Sequence, residues 1–265
     1  MILGCVQGLT EFLPVSSSGH LVLMQHLLGL KGSQLAFDVL VHLATFLAVL
    51  VYFWADIVHM IRSFLPGAPA RLGGEPAPYW RRLVYLIIIG SIPAGLAGVG
   101  LKHWFEQLFT SPQAAAMGLI ATGFILWGAE ALARRQASFS LGRLGWGRAF
   151  LVGVGQAVAI IPGVSRSGST IAFALGSGLK REDAARFSFL LALPAILGAG
   201  VLQAKDIALA GLAGQWPAFL AGFLTALVAG WLAIATMMRF IRRQPLTWFS
   251  PYVWLVGILA LYLLG

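Results

Sequence analysis

Two short, hydroxyl-rich stretches carry most of the reactive side chains in this sequence. The first offers Gln7, Glu11, Ser16, Ser17, Ser18 and His20; the second offers Gln156, Ser165, Arg166, Ser167, Ser169 and Thr170. Gln7 and Glu11 are four residues apart and share a helix face. Glu11 suits two tasks: ligating a divalent cation that bridges phosphates, or taking a proton from a hydroxyl or a water. Both serine clusters stand where a helix would begin, so N-capping accounts for any single one of them. A helix start also presents free N–H groups and the positive end of the helix dipole, which attract anions. Arg166 adds a planar fork of donors that matches pairs of phosphate oxygens. A structural Arg166–Glu11 ion pair is the competing reading, but the hydroxyl-rich, glycine-spaced run from Ser165 to Thr170 points to an anion. Gln7, Ser16, Ser18, Gln156, Ser165, Ser167 and Thr170 are the groups expected to hold substrate. Asp38 and His42 also share a helix face, and a structural hydrogen bond between them is the expectation.

The elements that must position these groups are membrane helices. Of 265 residues, 59% are hydrophobic and 10% charged, against about 25% charged in a soluble domain. The net charge of +9 would suggest nucleic acid if it formed a patch; the basic residues instead fall between apolar runs, and no nucleic-acid partner is expected. The single cysteine, Cys5, allows no internal disulfide. The apolar N-terminus lacks a basic leader and a small-residue cleavage site, so a signal peptide is not expected. Six apolar runs, at about 35–54, 83–101, 113–133, 183–202, 216–238 and 249–264, approach the roughly 20 residues needed to span a bilayer. Pro66 to Trp80 holds four prolines and three glycines and reads as a loop. Trp54, Trp80, Trp104, Trp216 and Trp248 sit near span ends, where tryptophan belts form.

The two reactive stretches differ from the spans. Arms 2–12 and 17–28 flank Pro14-Val15-Ser16, and arms 148–161 and 167–178 flank Pro162-Gly163. A twelve-residue helix is roughly 18 Å long and cannot cross about 30 Å of hydrocarbon. Each pair therefore reads as a re-entrant helix-turn-helix hairpin, tolerated at depth where it lines a wet or protein-filled cavity. The two hairpins are also copies. Gln7, Ser16, Ser18 and Gly19 align with Gln156, Ser165, Ser167 and Gly168 at an offset of 149, and Gly29-Leu30-Lys31 meets Gly178-Leu179-Lys180 in the same register. The expected fold is an all-α integral membrane protein with six transmembrane helices and two re-entrant hairpins, one membrane domain over 1–265 built from inverted repeats 1–133 and 148–265. An odd number of spans per repeat inverts the second copy, the plan that places binding sites at the midplane.

Loop charge sets the orientation. Fourteen of the 18 basic residues fall on one side, at Arg62, Arg71, Arg81, Arg82, Arg134, Arg135, Arg143, Arg148, Lys180, Arg181, Arg186, Arg239, Arg242 and Arg243; Lys31, Lys102 and Lys205 fall on the other. The arginine-rich side is therefore expected in the cytoplasm, with both termini outside it.

QGLTEFLPVSSSGH (Gln7 to His20) and PGVSRSGST (Pro162 to Thr170) resemble the two signatures of the undecaprenyl-diphosphatase family, also called bacitracin-resistance proteins, and the likeness extends over the whole chain. It implies an integral phosphatase of the bacterial inner membrane. Such an enzyme converts undecaprenyl diphosphate to undecaprenyl phosphate and inorganic phosphate, recycling the carrier lipid for cell-wall glycans. It implies a divalent cation, Mg2+ or Ca2+, with Glu11 as metal ligand, and a prenyl diphosphate substrate among membrane lipids. Glu11 matches the acid of an (E/Q)xxxE pattern, with Gln7 where many members have glutamate. Ser17 and His20 match the first-tip catalytic candidates, and Arg166 matches the phosphate-binding arginine. The nucleophile stays open between Ser17, water and His20, and a homodimer is left open. A transporter or flippase of an anionic lipid is the alternative, since inverted repeats with midplane hairpins serve transport as well. An ion channel fits less well, because the tips lack a repeated carbonyl filter.

Overall fold

The computed structural model describes residues 1–30, 34–134, 138–210 and 216–264. Lys31 and Arg135 lie outside that set, as do the side chains of Lys102 and Lys205. Twelve α-helices are described: α1 (Ile2–Phe12), α2 (Ser17–Leu27), α3 (Leu35–Tyr52), α4 (Trp54–Arg62), α5 (Ala77–Gly100), α6 (Lys102–Phe109), α7 (Pro112–Ala133), α8 (Trp146–Val158), α9 (Arg166–Gly176), α10 (Arg181–Ala210), α11 (Trp216–Phe240) and α12 (Ser250–Leu264). Among the described residues, six segments are long and apolar enough to cross a membrane: Leu35–Tyr52, Ala77–Gly100, Pro112–Ala133, Arg181–Leu202, Trp216–Phe240 and Leu246–Leu264. Large apolar side chains such as Leu96, Val99, Trp127 and Val228 face outward from them, as lipid requires.

The spans begin where the sequence supplies starts. Ser111 caps α7, accepting the Ala114 N–H at 3.2 Å, and Pro112 follows at its first position, where a missing N–H costs nothing. Three expectations need correction. The span expected from residue 83 begins at Ala77, because Pro78 also occupies a first-turn position. The stretch read as a plain loop contains a two-stranded hairpin, Arg71–Leu72 against Glu75–Pro76, turned by Gly73 and Gly74 at positive φ. Trp80 is likewise not an interface residue. It is buried, donates its indole N–H to the Leu72 carbonyl at 2.8 Å, and lies under the Arg186 guanidinium.

Helices α1 and α2 have 11 residues each, α8 has 13 and α9 has 11. All four are too short to span hydrocarbon, and each pair packs arm on arm. Small residues seat them. Gly4 and Gly8 of α1 lie on Gly222 and Ala226 of α11, so close that a Cβ at either position would meet backbone carbonyl oxygens. Gly153 of α8 lies on Gly90 of α5 in the same way. Gly4 and Gly153 are 149 residues apart, so equivalent glycines make equivalent small-residue crossings. Each hairpin thus packs on a span from the opposite half of the chain, while α3 packs on α10 and α7 on α12.

One end of the bundle is stapled by ion pairs. Arg186 forms a bidentate pair with Asp56 at 2.7 and 2.6 Å. Arg181 grips Glu130, which is buried and also accepts the Leu246 N–H at 2.7 Å. Arg82 donates to the carbonyls of Gly142 and Leu144, and Arg242 pairs with Glu182. These contacts gather the arginine-bearing ends of the spans. At the other end, Gln113 donates to the Leu264 carbonyl at 2.8 Å and Thr225 to that of Met1 at 3.4 Å.

Candidate functional site

The site forms where the two hairpin tips meet. Helix α2 starts at Ser17 behind Ser16, whose hydroxyl accepts the Gly19 N–H at 3.3 Å. Helix α9 starts at Arg166 behind Ser165, whose hydroxyl accepts the Gly168 N–H at 3.0 Å. In both tips the cap hydroxyl also lies 3.2 Å from the hydroxyl two residues on, Ser16 to Ser18 and Ser165 to Ser167. The serines therefore do cap. Capping leaves the next residue of each tip, Ser17 and Arg166, to project from a helix start whose first N–H groups have no intrahelical acceptor.

Those two residues converge on Glu11. Ser17 donates its hydroxyl to Glu11 Oε2 at 2.5 Å. Arg166 Nη2 pairs with Glu11 Oε1. Gln7, one turn back on α1, donates its amide to Oε2 at 2.9 Å. Glu11 is 7% exposed, and an isolated carboxylate at such a position would be strongly disfavoured; the three donors offset that cost. The ion pair raised as a competing reading is present, yet it leaves Arg166 half used: Nη1 is buried with no hydrogen-bond partner among the described residues.

More open polar atoms lie on the hairpin helices. Gln7 Oε1, both amide atoms of Gln156, and Ser169 Oγ are buried without a hydrogen-bond partner among the described residues. Buried polar groups are nearly always satisfied, so these positions call for water or a ligand. Ser167 serves differently, donating to the Leu13 carbonyl at 3.0 Å and tying the second tip to the first. Thr170 is spent on structure: its hydroxyl reaches the Arg166 carbonyl at 2.8 Å and the Ser188 hydroxyl at 2.5 Å, fastening α9 to α10. His20 stands in the first tip but turns away from Ser17. Its Nδ1 meets the Ser16 carbonyl and its Nε2 the Tyr252 hydroxyl, each at 2.8 Å.

Three neighbours were not among the expected site residues. Thr122 of α7 docks the second tip, accepting the Ser165 N–H at 2.9 Å and donating to the Gly163 carbonyl at 3.0 Å. Tyr252 comes from α12. His42 belongs with the site rather than with the Asp38 carboxylate: its Nδ1 donates to the backbone carbonyl of Asp38 at 2.7 Å, and its Nε2 faces Glu11 Oε2 at 3.8 Å. The Asp38 side chain instead accepts from Gln25 at 2.7 Å. The i, i+4 spacing of Asp38 and His42 was a signal for proximity and not for which atoms meet.

Among the described residues, no group of three or more His, Cys, Asp or Glu side chains could hold a metal ion. A cation carried in on phosphates does fit, since Mg2+ is commonly held by one or two carboxylates together with substrate oxygens. Glu11 would supply the carboxylate, and Gln7 Oε1, buried without a hydrogen-bond partner among the described residues, would supply a second oxygen.

Fold and site together define a multi-pass, all-α membrane protein with a buried, hydroxyl-rich site built around one carboxylate and one arginine. The family of bacitracin resistance protein BacA matches residues 1–259. The chain belongs to that family. It is 47% identical to an undecaprenyl-diphosphatase of Carboxydothermus hydrogenoformans over 99% of this chain and 95% of that protein. It is 45% identical to one of Methanobrevibacter smithii over 98% and 95% of the two chains. A third, from Halothermothrix orenii, is 41% identical over 100% and 97%.

Proposed function

We propose that this chain hydrolyses undecaprenyl diphosphate to undecaprenyl phosphate and inorganic phosphate, returning the carrier lipid to cell-wall glycan synthesis. The observation that carries the reading is the convergence of Ser17 and Arg166 on the two oxygens of Glu11. Ser17 Oγ attacks the terminal phosphorus, and its proton passes along the existing hydrogen bond to Glu11 Oε2. The bond from phosphorus to the bridging oxygen breaks, and undecaprenyl phosphate leaves. Glu11 gives that proton up to the departing phosphate; water then attacks the phosphoserine, Glu11 takes one proton from the water and returns it to Ser17 Oγ, and inorganic phosphate leaves. Arg166 Nη1, free in the resting site, takes a phosphoryl oxygen, and the N–H groups at the starts of α2 and α9 face the charge that develops there. Glu11 and Gln7 would hold a divalent cation brought in with the substrate, which would supply further charge neutralisation.

The prenyl tail stays in the bilayer while the head reaches the two tips. The arginine-rich end faces the cytoplasm of a bacterial inner membrane in this reading, and both termini lie outside. The internal duplication is supported by the paired caps and paired glycine crossings at an offset of 149. The test is phosphate release from a prenyl diphosphate by the purified chain in detergent. Wild type releases phosphate, and Glu11→Ala and Arg166→Ala do not while remaining folded. Binding of the diphosphate by wild type with no release would favour a transporter.

A further inference from the structure

Ser16 is the one non-glycine residue with positive φ (69°) among the described residues. A left-handed backbone at a residue with a side chain is strained and persists only where its surroundings hold it. Ser16 immediately precedes Ser17, so the dihedrals of Ser16 set where Ser17 Oγ lies relative to Glu11. Two donors from His20 hold the Ser16 carbonyl: the backbone N–H at 3.2 Å and ring Nδ1 at 2.8 Å. A carbonyl oxygen only accepts, so Nδ1 carries a proton. In the neutral ring Nε2 is then an acceptor, and it is met by the Tyr252 hydroxyl at 2.8 Å. The two rings lie nearly parallel, 5° apart with centroids at 5.6 Å. With both nitrogens engaged and Ser17 bonded to Glu11 instead, His20 has no lone pair directed at the nucleophile.

We infer that Tyr252 and His20 are positioning residues: a chain from the Tyr252 hydroxyl through the His20 ring to the Ser16 carbonyl holds the strained tip and thereby aims Ser17 at the substrate phosphorus. The side chain that the family signature offers as a catalytic candidate thus acts through the backbone, and α12, 232 residues from His20 at the point of contact, joins the machinery. The kinetic part of this inference rests on the hydrolase reading; its spectroscopic part does not.

The experiment compares wild type, Tyr252→Phe, His20→Asn, His20→Ala and the double variant Tyr252→Phe/His20→Ala, all purified in detergent. Asparagine places an amide N–H close to the position of Nδ1 and has nothing at Nε2. A small misplacement of a reacting group costs up to roughly 100-fold. His20→Ala should accordingly lose about 100-fold in kcat with little change in KM, whereas His20→Asn should stay within about tenfold of wild type. Tyr252→Phe, nearly isosteric, should lower kcat about fivefold in wild type and not at all in His20→Ala, because the two act as one unit. Equal losses in His20→Asn and His20→Ala would overturn the inference and assign His20 to proton chemistry. An undiminished effect of Tyr252→Phe in the His20→Ala background would remove Tyr252 from the chain. Separately, 15N spectra of histidine-labelled protein should show a His20 ring, identified by its loss in His20→Asn, with the proton on Nδ1 and an Nε2 resonance that moves in Tyr252→Phe. A proton on Nε2, or a resonance that does not move, would overturn the inference whether or not the wild type releases phosphate. A wild type that releases none would overturn the hydrolase reading alone.

Discussion

Ser17 and Arg166 are equivalent residues of the two hairpins, 149 positions apart, and they donate to opposite oxygens of a single carboxylate, Glu11. Each stands at the first helical position behind a serine cap. The correspondence lies in the helix starts and not in the chemistry: one hairpin contributes a hydroxyl and the other a cation. The position equivalent to Glu11 is Ile160, so one acid serves both tips, and the site is asymmetric although its frame is repeated.

Glu11 is the hub, so removing its charge without its shape is informative. Glu11→Gln keeps a hydrogen-bonding group beside Gln7 but no longer accepts the Ser17 proton. Phosphate release should fall about 1000-fold, measured as kcat in detergent. Retention of a wild-type rate would show that the Ser17–Glu11 hydrogen bond is not on the reaction path.

Glu130 provides the contrast. It is as buried as Glu11 and paired with Arg181, but it lies at the stapled end and also accepts the Leu246 N–H. Glu130→Ala leaves the partly exposed Arg181 and the buried Leu246 N–H without their acceptor, which costs about 1–3 kcal/mol. Unfolding of the detergent-purified protein should show that loss, while kcat of the folded fraction stays within about twofold of wild type.

Docking of the second tip depends on Gly163. Its φ is +84°, and a Cβ there would collide with the Ala115 carbonyl of α7. Gly163→Ala combines backbone strain with a backbone clash. It should destabilise the protein by about 3 kcal/mol and carry Arg166 away from Glu11. Thermal unfolding and phosphate release should fall together.

Much of this was legible in the sequence, for a physical reason. Arm length and proline-bearing tips follow from local composition, so the arm read as 2–12 is α1 and the one read as 17–28 ends one residue earlier, at Leu27. A buried arginine in lipid demands a partner or a ligand, which made Arg166 and Glu11 visible before their contact was. Thr122, His42 and Tyr252 were not legible as site members. They reach the tips from α7, α3 and α12 through interhelical packing, and a hydroxyl or imidazole on a span carries no local mark of what it will face. Trp80 misled for the same reason: its place at a span end suggested an interface, whereas tertiary packing buried it under Arg186.

In the proposed reaction, Gln7 stands where a second carboxylate would strengthen the hold on a divalent cation. Chelator should slow phosphate release, and added Mg2+ or Ca2+ should restore it. Gln7→Glu should lower the half-saturating cation concentration about threefold or more, since ligand charge tunes such affinities. An unchanged cation requirement would show that Gln7 Oε1 does not face the ion.

The most direct measurement is the rate of phosphate release from undecaprenyl diphosphate by wild type, Ser17→Ala and Arg166→Ala, purified and assayed side by side. Wild type should turn over, and each variant should be slower by about 100-fold or more, with diphosphate still bound by Ser17→Ala. Release by Ser17→Ala at the wild-type rate would contradict the account.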